Sequence, residues 1–284
     1  MSRISVVIPA FQNEAFIDDA IRSVLSQEGV DLELVVADHS STDGTARRIN
    51  SYRHDPRLRV LTTAPGGGAE ANWRAVSAAA TGDYLKLLPG DDLLYPGALA
   101  AHVRALDDNP SVVLVSSPRD ILDASGRVTI RRRGLQGVAR RLQPGVEAIR
   151  TTVRRGTNVF GEPGSVTMRR SVLEEAGGWD ARIPYLIDQL TYSKVLLRGD
   201  YLPVGETLGG FRVNAAQWSV ALVGQQARQA KQYHAWCRQH APETIREGDV
   251  WIGDRRAELM ALARRAYYVV NSSRIRTPRH EDHG

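Results

Sequence analysis

Short apolar runs that stop at a proline or an acid, with helix-forming stretches between them, constrain this chain more than any other feature. Residues 4–8 are an apolar, β-branched run ended by Pro9, the pattern of a strand buried on both faces. Phe16, Ile17, Ala20, Ile21, Val24 and Leu25 then recur on one helical face, with Asn13 as the expected cap. A second buried strand over 32–37 breaks at Asp38 into His39-Ser40-Ser41-Thr42-Asp43-Gly44. A helix over 45–52 and a strand over 58–61 follow. Pro65-Gly66-Gly67-Gly68 forms a turn into an alanine-rich helix over 69–80, which Gly82 is expected to stop. The strand over 84–88 ends at Pro89-Gly90-Asp91-Asp92, Pro96 opens a helix toward Asn109, and 112–116 is a fifth strand. This alternation predicts an α/β fold with a mostly parallel, doubly wound sheet. Ligands of such sheets bind beyond the carboxyl ends of the strands, where Asp38, Asp91 and Asp92 fall.

The middle of the chain is less regular. Residues 119–165 hold Arg131-Arg132-Arg133, Arg140-Arg141 and several glycines, and read as a mobile, basic excursion. Pattern returns with Val166-Thr167-Met168, a helix over 171–176, the turn Gly177-Gly178-Trp179-Asp180 and a helix over 188–198. Beyond about residue 220 the texture is helical. Leu259, Met260, Ala263, Ala266, Tyr267 and Val270 make an apolar stripe, with Arg255, Arg256, Arg264 and Arg265 off it. That helix either packs on the core or lies on an anionic membrane surface. Residues 278–284 are expected to be disordered.

Charge is unevenly spread. Residues 1–118 carry 10 Lys/Arg against 15 Asp/Glu, and residues 119–170 carry 12 against 4. The positive segment fits an anionic partner such as a diphosphate or an acidic lipid head group, or is simply a solvated surface. Nucleic acid is not expected, because the tryptophans and tyrosines are not interleaved with arginines in any recognisable module. Cys237 is the single cysteine, which rules out an intrachain disulfide and a multi-cysteine metal site and fits a reducing, cytoplasmic setting. The N-terminus lacks a signal-peptide pattern, and no apolar run reaches the length of a membrane span.

Asp38 opens a Ser/Thr/Asp/Gly loop whose side chains could reach a nucleotide, or it is a turn residue. Asp91-Asp92 places two acids at a sheet edge, where repulsion is costly unless solvent or a cation offsets it. Carboxylate oxygens of this kind suit Mg²⁺ or Mn²⁺; otherwise the pair is a solvated turn.

Taken in order, three stretches resemble the inverting glycosyltransferase family 2, whose fold is called GT-A. They are Ser5-Val6-Val7-Ile8-Pro9-Ala10-Phe11-Gln12-Asn13-Glu14, then Val36-Ala37-Asp38-His39-Ser40-Ser41-Thr42-Asp43-Gly44-Thr45, and Thr81-Gly82-Asp83-Tyr84-Leu85-Lys86-Leu87-Leu88-Pro89-Gly90-Asp91-Asp92. The resemblance implies a GT-A domain over 1–222, with a nucleotide-binding half (1–118) and an acceptor half (119–222), and a helical C-terminal extension over 223–284. It also implies roles. Pro9, Phe11 and Glu14 would line the base and ribose pocket, Asp38 would hydrogen-bond the base, and Asn72 would lie near the donor. Asp91, with Asp92 beside it, would face Mg²⁺ or Mn²⁺ on the donor diphosphate. Asp188 would be the general base and Arg212 would contact the diphosphate. The implied partners are a nucleotide-diphosphate sugar, UDP-linked by preference, and a carbohydrate or lipid-linked acceptor in surface polysaccharide or glycolipid synthesis. Peripheral contact with the inner face of a membrane is compatible with this.

Two positions depart from the family pattern. Pro89 replaces the first acid of an Asp-x-Asp-Asp run, and Asn214 stands in the usual histidine place. These departures are what a catalytically inactive, scaffolding relative would show. A nicotinamide-dependent oxidoreductase would need Gly-x-Gly-x-x-Gly after the first strand, where this chain has Pro9-Ala10-Phe11-Gln12-Asn13-Glu14.

Overall fold

The computed structural model describes residues 2–214 and 225–270, with side chains described as far as residue 263. The apolar runs form the parallel half of an eight-stranded sheet. β1 (Arg3–Ala10) lies between β2 (Asp31–Asp38) and β4 (Tyr84–Leu87), and β3 (Leu58–Thr62) flanks β2. Ala10 is in register with Asp38, and Val7 with Leu87, so β1 and β2 end together, β4 ends three residues earlier, and the loops after all three leave the same edge of the sheet. The other half contains β6 (Val112–Ser116), β11 (Asp200–Pro203) and the edge strand β9 (Gln143–Pro144). β10 (Val166–Arg169) joins the halves by running antiparallel to both β4 and β6.

Side chains alternate across the sheet, which sorts the core into two layers. Ile4, Val6 and Ile8 pack with α1 (Ile17–Leu25) and α4 (Ala98–Asp107). Val7, Val35 and Leu87 pack on the opposite face with α3 (Gly68–Ala78), α5 (Gly145–Arg155), α7 (Ile187–Leu196) and Trp179. Short helices α2 (Thr45–Asn50) and α6 (Arg170–Glu175) complete the crossovers. The expected α/β, doubly wound and mostly parallel architecture is present.

Several local expectations need correction. Residues 119–165 are not an irregular excursion. They supply β7 (Arg119–Leu122), β8 (Val128–Arg133), β9 and α5. β7 and β8 belong to a second, four-stranded sheet ordered β5-β12-β7-β8, with β5 (Leu93–Leu94) and β12 (Gly209–Arg212). The hairpin's partners come from distant sequence, and its register shifts twice between Arg119 and Leu122, so its strand period is broken locally. Asn13 does not cap α1. The N-cap residue is Phe16, and the Asn13 carbonyl accepts the backbone N–H groups of Phe16 and Ile17 at 2.9 Å. Gly82 does not act as a left-handed cap. It is glycine because a Cβ there would lie 2.8 Å from the Arg3 carbonyl oxygen.

The C-terminal helices are α8 (Gln226–His240) and α9 (Glu247–Val270). The described face of α9 that meets the core runs through Gly253, Ala257 and Ala261, whereas Leu259 and Ala263 face solvent. The side chains of Ala266, Tyr267 and Val270 of the expected stripe and of Arg264 and Arg265 beside it, and residues 278–284, lie outside the described residues. α9 crosses α5 at two glycines. A Cβ on Gly253 would sit 2.1 Å from the Val153 carbonyl oxygen, and one on Gly156 would sit 2.5 Å from that of Gly253. Asp249 clamps the crossing by accepting hydrogen bonds from Arg150 Nε (2.9 Å) and Arg154 Nη1. Among the described residues, no helix is long and apolar enough to cross a membrane.

Candidate active site

Three groups of side chains assemble at this edge of the sheet and beside it. The first surrounds the ends of β1 and β2. Asp38 is buried, and its Oδ1 accepts the Ser41 N–H at 3.3 Å. Pro9 is half-buried beside Ala37, and Phe11 is 55% exposed with its ring edge-on to His39 at 6.1 Å. Gln12 Oε1 accepts the N–H groups of Thr42 and Asp43, and Glu14 Oε2 accepts that of Gly44 at 2.9 Å. Glu14 also pairs with Arg47 at 3.2 Å. Its carboxylate therefore binds the loop after β2 to the turn after β1. Asn72 on α3 is buried and donates to the Ala10 carbonyl at 3.3 Å, while its Oδ1 has no partner among the described residues. Buried polar atoms are paired in most native structures, so this is an acceptor held ready for a donor from elsewhere.

The second group is the acidic turn after β4. Gly90 permits it, because a Cβ there would lie 2.7 Å from Asn13 Oδ1. Asp91 Oδ2 accepts from Asn214 Nδ2 at 2.8 Å, and Asp92 Oδ1 accepts the Arg212 N–H at 2.9 Å. Burial pushes the Asp92 carboxyl well above its usual range, and the neighbouring Asp91 charge adds to this. Arg212 is itself buried. Its Nε donates to the Asp91 carbonyl at 2.9 Å, its Nη1 to the Ala124 carbonyl and its Nη2 to Asp19 Oδ2, and its guanidinium lies 4.8 Å over the Phe16 ring. The geometry makes Arg212 a brace behind the acidic turn.

Among the described residues, no group of three or more His, Cys, Asp or Glu is placed to hold a metal ion. The residues present nevertheless fit a divalent cation of the Mg²⁺ or Mn²⁺ kind. These ions commonly take one or two protein carboxylates and fill their other positions with substrate phosphate oxygens and water. A cation would also offset the burial and the Asp91 charge that raise the Asp92 carboxyl.

The third group centres on Asp188, in the first turn of α7. Its Oδ1 accepts the Gln189 N–H at 2.7 Å and its Oδ2 accepts from Asn158 Nδ2 at 3.0 Å. Burial pushes this carboxyl up to about 7 against the lowering effect of the Gln189 hydrogen bond, and the charge of Glu162 raises it further. Burial works against the charged form of Glu162 too, but the ion pair with Arg119 holds it below its usual range. The Tyr192 hydroxyl is buried without a partner, and its proton is held more tightly by burial and by the Asp188 and Glu162 charges. Asp180 is a different case. Arg182 and Lys194 hold it as a carboxylate well below the usual range, which makes it a structural anchor.

A cavity of about 320 Å³ opens at Asp188, with Asn158, Glu162 and Arg119 in its wall. Arg119 and Glu162 also line a smaller recess with Asp92 and Gly164. This ion pair thus joins the acidic turn to the Asp188 cavity. Pro9, Phe11, Glu14, Asp38, Asn72 and Asp91 line neither recess. Sequence reasoning missed Arg119, Asn158, Glu162 and Tyr192. The available signal was Glu162, a lone acid in the turn Gly161-Glu162-Pro163-Gly164 inside an otherwise basic segment.

The fold is that of the GT-A glycosyltransferases. The sequence matches Glycosyl transferase family 2 over residues 5–177, and the chain belongs to that family. It is 34% identical over 222 residues to an uncharacterized protein of Mycobacterium tuberculosis (strain CDC 1551 / Oshkosh), covering 75% of this chain and 68% of that one. It is 39% identical over 97 residues to the chondroitin synthase of Pasteurella multocida (strain Pm70), covering 34% of this chain and only 10% of that one. Among solved structures, the mannosyltransferase PcManGT from Pyrobaculum calidifontis, in complex with GDP-Man and Mn²⁺, superposes with a TM-score of 0.66 at 17% identity, covering 95% of this chain and 75% of that one. S. aureus TarS 1–349 in complex with UDP-GlcNAc gives 0.65 at 15% identity, covering 90% and 70%. Likeness at these identities carries the fold alone.

Proposed function

We propose that this chain transfers a sugar, with inversion, from a nucleotide-diphosphate sugar to an acceptor hydroxyl, with Asp188 as general base. The observation that carries this reading is the Asp188 carboxyl, which lines a cavity, is raised to about 7, and is linked through Arg119 and Glu162 to the Asp92 turn. A general base works best when its pKa lies near the working pH. The acceptor oxygen forms a bond to the anomeric carbon while the bond from that carbon to the diphosphate oxygen breaks. The acceptor proton passes to Asp188 Oδ2 and the nucleoside diphosphate leaves. Asn158 and the Gln189 N–H fix the carboxylate's orientation. Asp38, Pro9, Phe11 and Asn72 hold the nucleotide beyond β1 and β2, Glu14 fixes the loop they share, and Arg212 positions Asp91 and Asp92. Mg²⁺ or Mn²⁺ held by Asp91, with Asp92 beside it, would supply charge neutralisation on the leaving diphosphate.

The fold neighbours' complexes with UDP-GlcNAc and with GDP-Man and Mn²⁺ support a nucleotide-diphosphate donor and a divalent metal; UDP is the preferred nucleotide. The chondroitin synthase and the putative glycosyltransferase EpsE of Bacillus subtilis (strain 168) support a role in surface polysaccharide or glycolipid synthesis. Exposed Trp251, Leu259 and Leu262, with Arg255 on the same side of α9, support peripheral contact with the cytoplasmic face of a membrane. The raised Asp188 counts against an inactive scaffold. Asp188→Asn tests the reading. Donor binding, measured by calorimetry with UDP- and GDP-sugars and Mn²⁺, should be retained, while turnover falls about 10²- to 10⁴-fold. Wild-type turnover in this variant would remove the base assignment.

A further inference from the structure

Lys86 is a charged residue inside an apolar strand, and it is almost inaccessible. Burying an ammonium costs stability. Among the described residues its Nζ donates only to backbone, to the Gly164 carbonyl at 2.8 Å and the Val166 carbonyl at 3.0 Å. The same turn is held from its other side. Asn158 Oδ1 accepts the N–H groups of Phe160 and Gly161 at 3.0 and 3.2 Å, and its Nδ2 donates to the Gly161 carbonyl at 2.9 Å. Gly164 lets the turn close on the acidic one: a Cβ there would lie 3.1 Å from Leu88 Cδ1 and 3.6 Å from Asp92 Oδ2.

What this fixed turn carries is Glu162. Its side chain is 28% exposed against 5% for its partner Arg119, so the pair offers a ligand its carboxylate. The guanidinium stays behind, with Nη1 donating to the Arg133 carbonyl at 3.1 Å. Glu162 also lines both recesses, one with Asp92 and one with Asp188. In a transfer with inversion the attacking and leaving oxygens lie on opposite sides of the anomeric carbon. The sugar ring therefore spans the gap between the group that takes the proton and the turn that meets the diphosphate. Glu162 stands in that gap. A carboxylate can accept from two hydroxyls at once, and hydrogen bonds to an ionised acceptor are about twice as strong as neutral ones.

We propose that Glu162 is a specificity-determining residue for the transferred sugar, its carboxylate accepting hydrogen bonds from that sugar's hydroxyls, with Arg119, Asn158 and Lys86 as positioning residues behind it. The sugar is then uncharged, since a uronic acid would bring a second carboxylate to the same place. This rests on Asp188 as base and on the diphosphate at the acidic turn.

Titration calorimetry with Mn²⁺ separates the sugar from the nucleotide. UDP, GDP, UDP-glucose, UDP-GlcNAc and GDP-mannose are titrated into the wild type, Glu162→Ala and Glu162→Gln. For the conjugate that the wild type binds best, Glu162→Ala should lower affinity about tenfold or more, and Glu162→Gln, which keeps one acceptor oxygen, by less. The parent nucleoside diphosphate should bind both variants within about twofold of the wild type, which also shows that they have folded. Equal losses for conjugate and nucleoside diphosphate would mean that Glu162 serves only the acidic turn, and would overturn the proposal. Unchanged affinity for every conjugate would overturn it too. A wild-type measurement decides the matter if neither variant folds. UDP-glucuronate should bind at least about fivefold more weakly than UDP-glucose, or GDP-mannuronate than GDP-mannose where GDP is the nucleotide bound, and equal binding overturns the proposal. If neither UDP nor GDP bound the wild type, the failure would belong to the functional reading instead.

Discussion

Asp188 couples activity and stability through one proton. Its folded value of about 7 lies above the 3.8 of an exposed carboxyl. Between those values the folded chain holds a proton that the unfolded chain has lost, so this group's contribution to stability declines as pH rises through that window. Turnover should run the other way, with an acidic limb centred near pH 7 in a kcat/KM profile. Asp188→Asn should therefore cost activity yet raise stability at pH 8 by about 1–2 kcal/mol, a figure reduced for the group's partial exposure; urea denaturation at pH 5 and pH 8 checks this. Glu162→Gln removes a negative charge that raises Asp188 and leaves Arg119 uncompensated beside it. The acidic limb should then move down by about half a unit to one unit, and an unmoved limb would show that the two carboxyls do not interact. Legibility differed sharply among these residues. Asp38, Asp91 and Asp92 could be read because each ends an apolar run. Asp188 was placed by resemblance alone. Glu162 left only its place as a lone acid in a basic segment, and Lys86 could not be read at all. Lys86 sits inside an apolar strand and is buried by donating to the Gly164 and Val166 carbonyls, partners that no local pattern announces.

At the scale of elements, the seam between α5 and α9 determines the shape of the cavity. Asp249 is nearly inaccessible and has two arginine partners that remain partly exposed. Asp249→Asn should cost about 1–3 kcal/mol, less than a fully buried pair because solvent reaches the arginines. Gly253→Val forces a branched side chain onto the Val153 carbonyl and should free α9 from the core. Limited proteolysis would then cut within residues 241–270 well before the sheet is attacked. The sequence periodicity located α9 but not its inward face, because glycine and alanine line the buried side while Trp251, Leu259 and Leu262 point outward. Hydrophobic patterning points to the larger side chains, and here close backbone approach selected the smaller ones. Strand β8 escaped notice for the opposite reason: its apolar residues Val128 and Ile130 are exposed, and its arginines outnumber them.

For the whole molecule, the exposed side of α9 and the basic middle segment suggest a preferred orientation at a charged surface. The chain should sediment with vesicles containing phosphatidylglycerol and not with purely zwitterionic ones. Binding should weaken between 50 and 300 mM salt, and combined Trp251→Ala, Leu259→Ser and Leu262→Ser should abolish it while leaving nucleotide binding intact. Retained sedimentation in that triple variant would place the contact elsewhere. The parallel half of the main sheet was legible because each strand there is followed by its own helix. The antiparallel strand β10 was not, because its neighbours β4 and β6 are settled by the fold as a whole. That strand also sets a timetable for synthesis. Until residues 166–169 leave the ribosome, β4 and β6 have no bridge, each presents an open edge, and neither Glu162 nor Asp188 has reached the acidic turn. A nascent or truncated chain ending earlier would be an adhesive fragment with long-range pairings still to make, and it would lack Asp188, the proposed base, which is added after the strand that joins the two halves of the sheet.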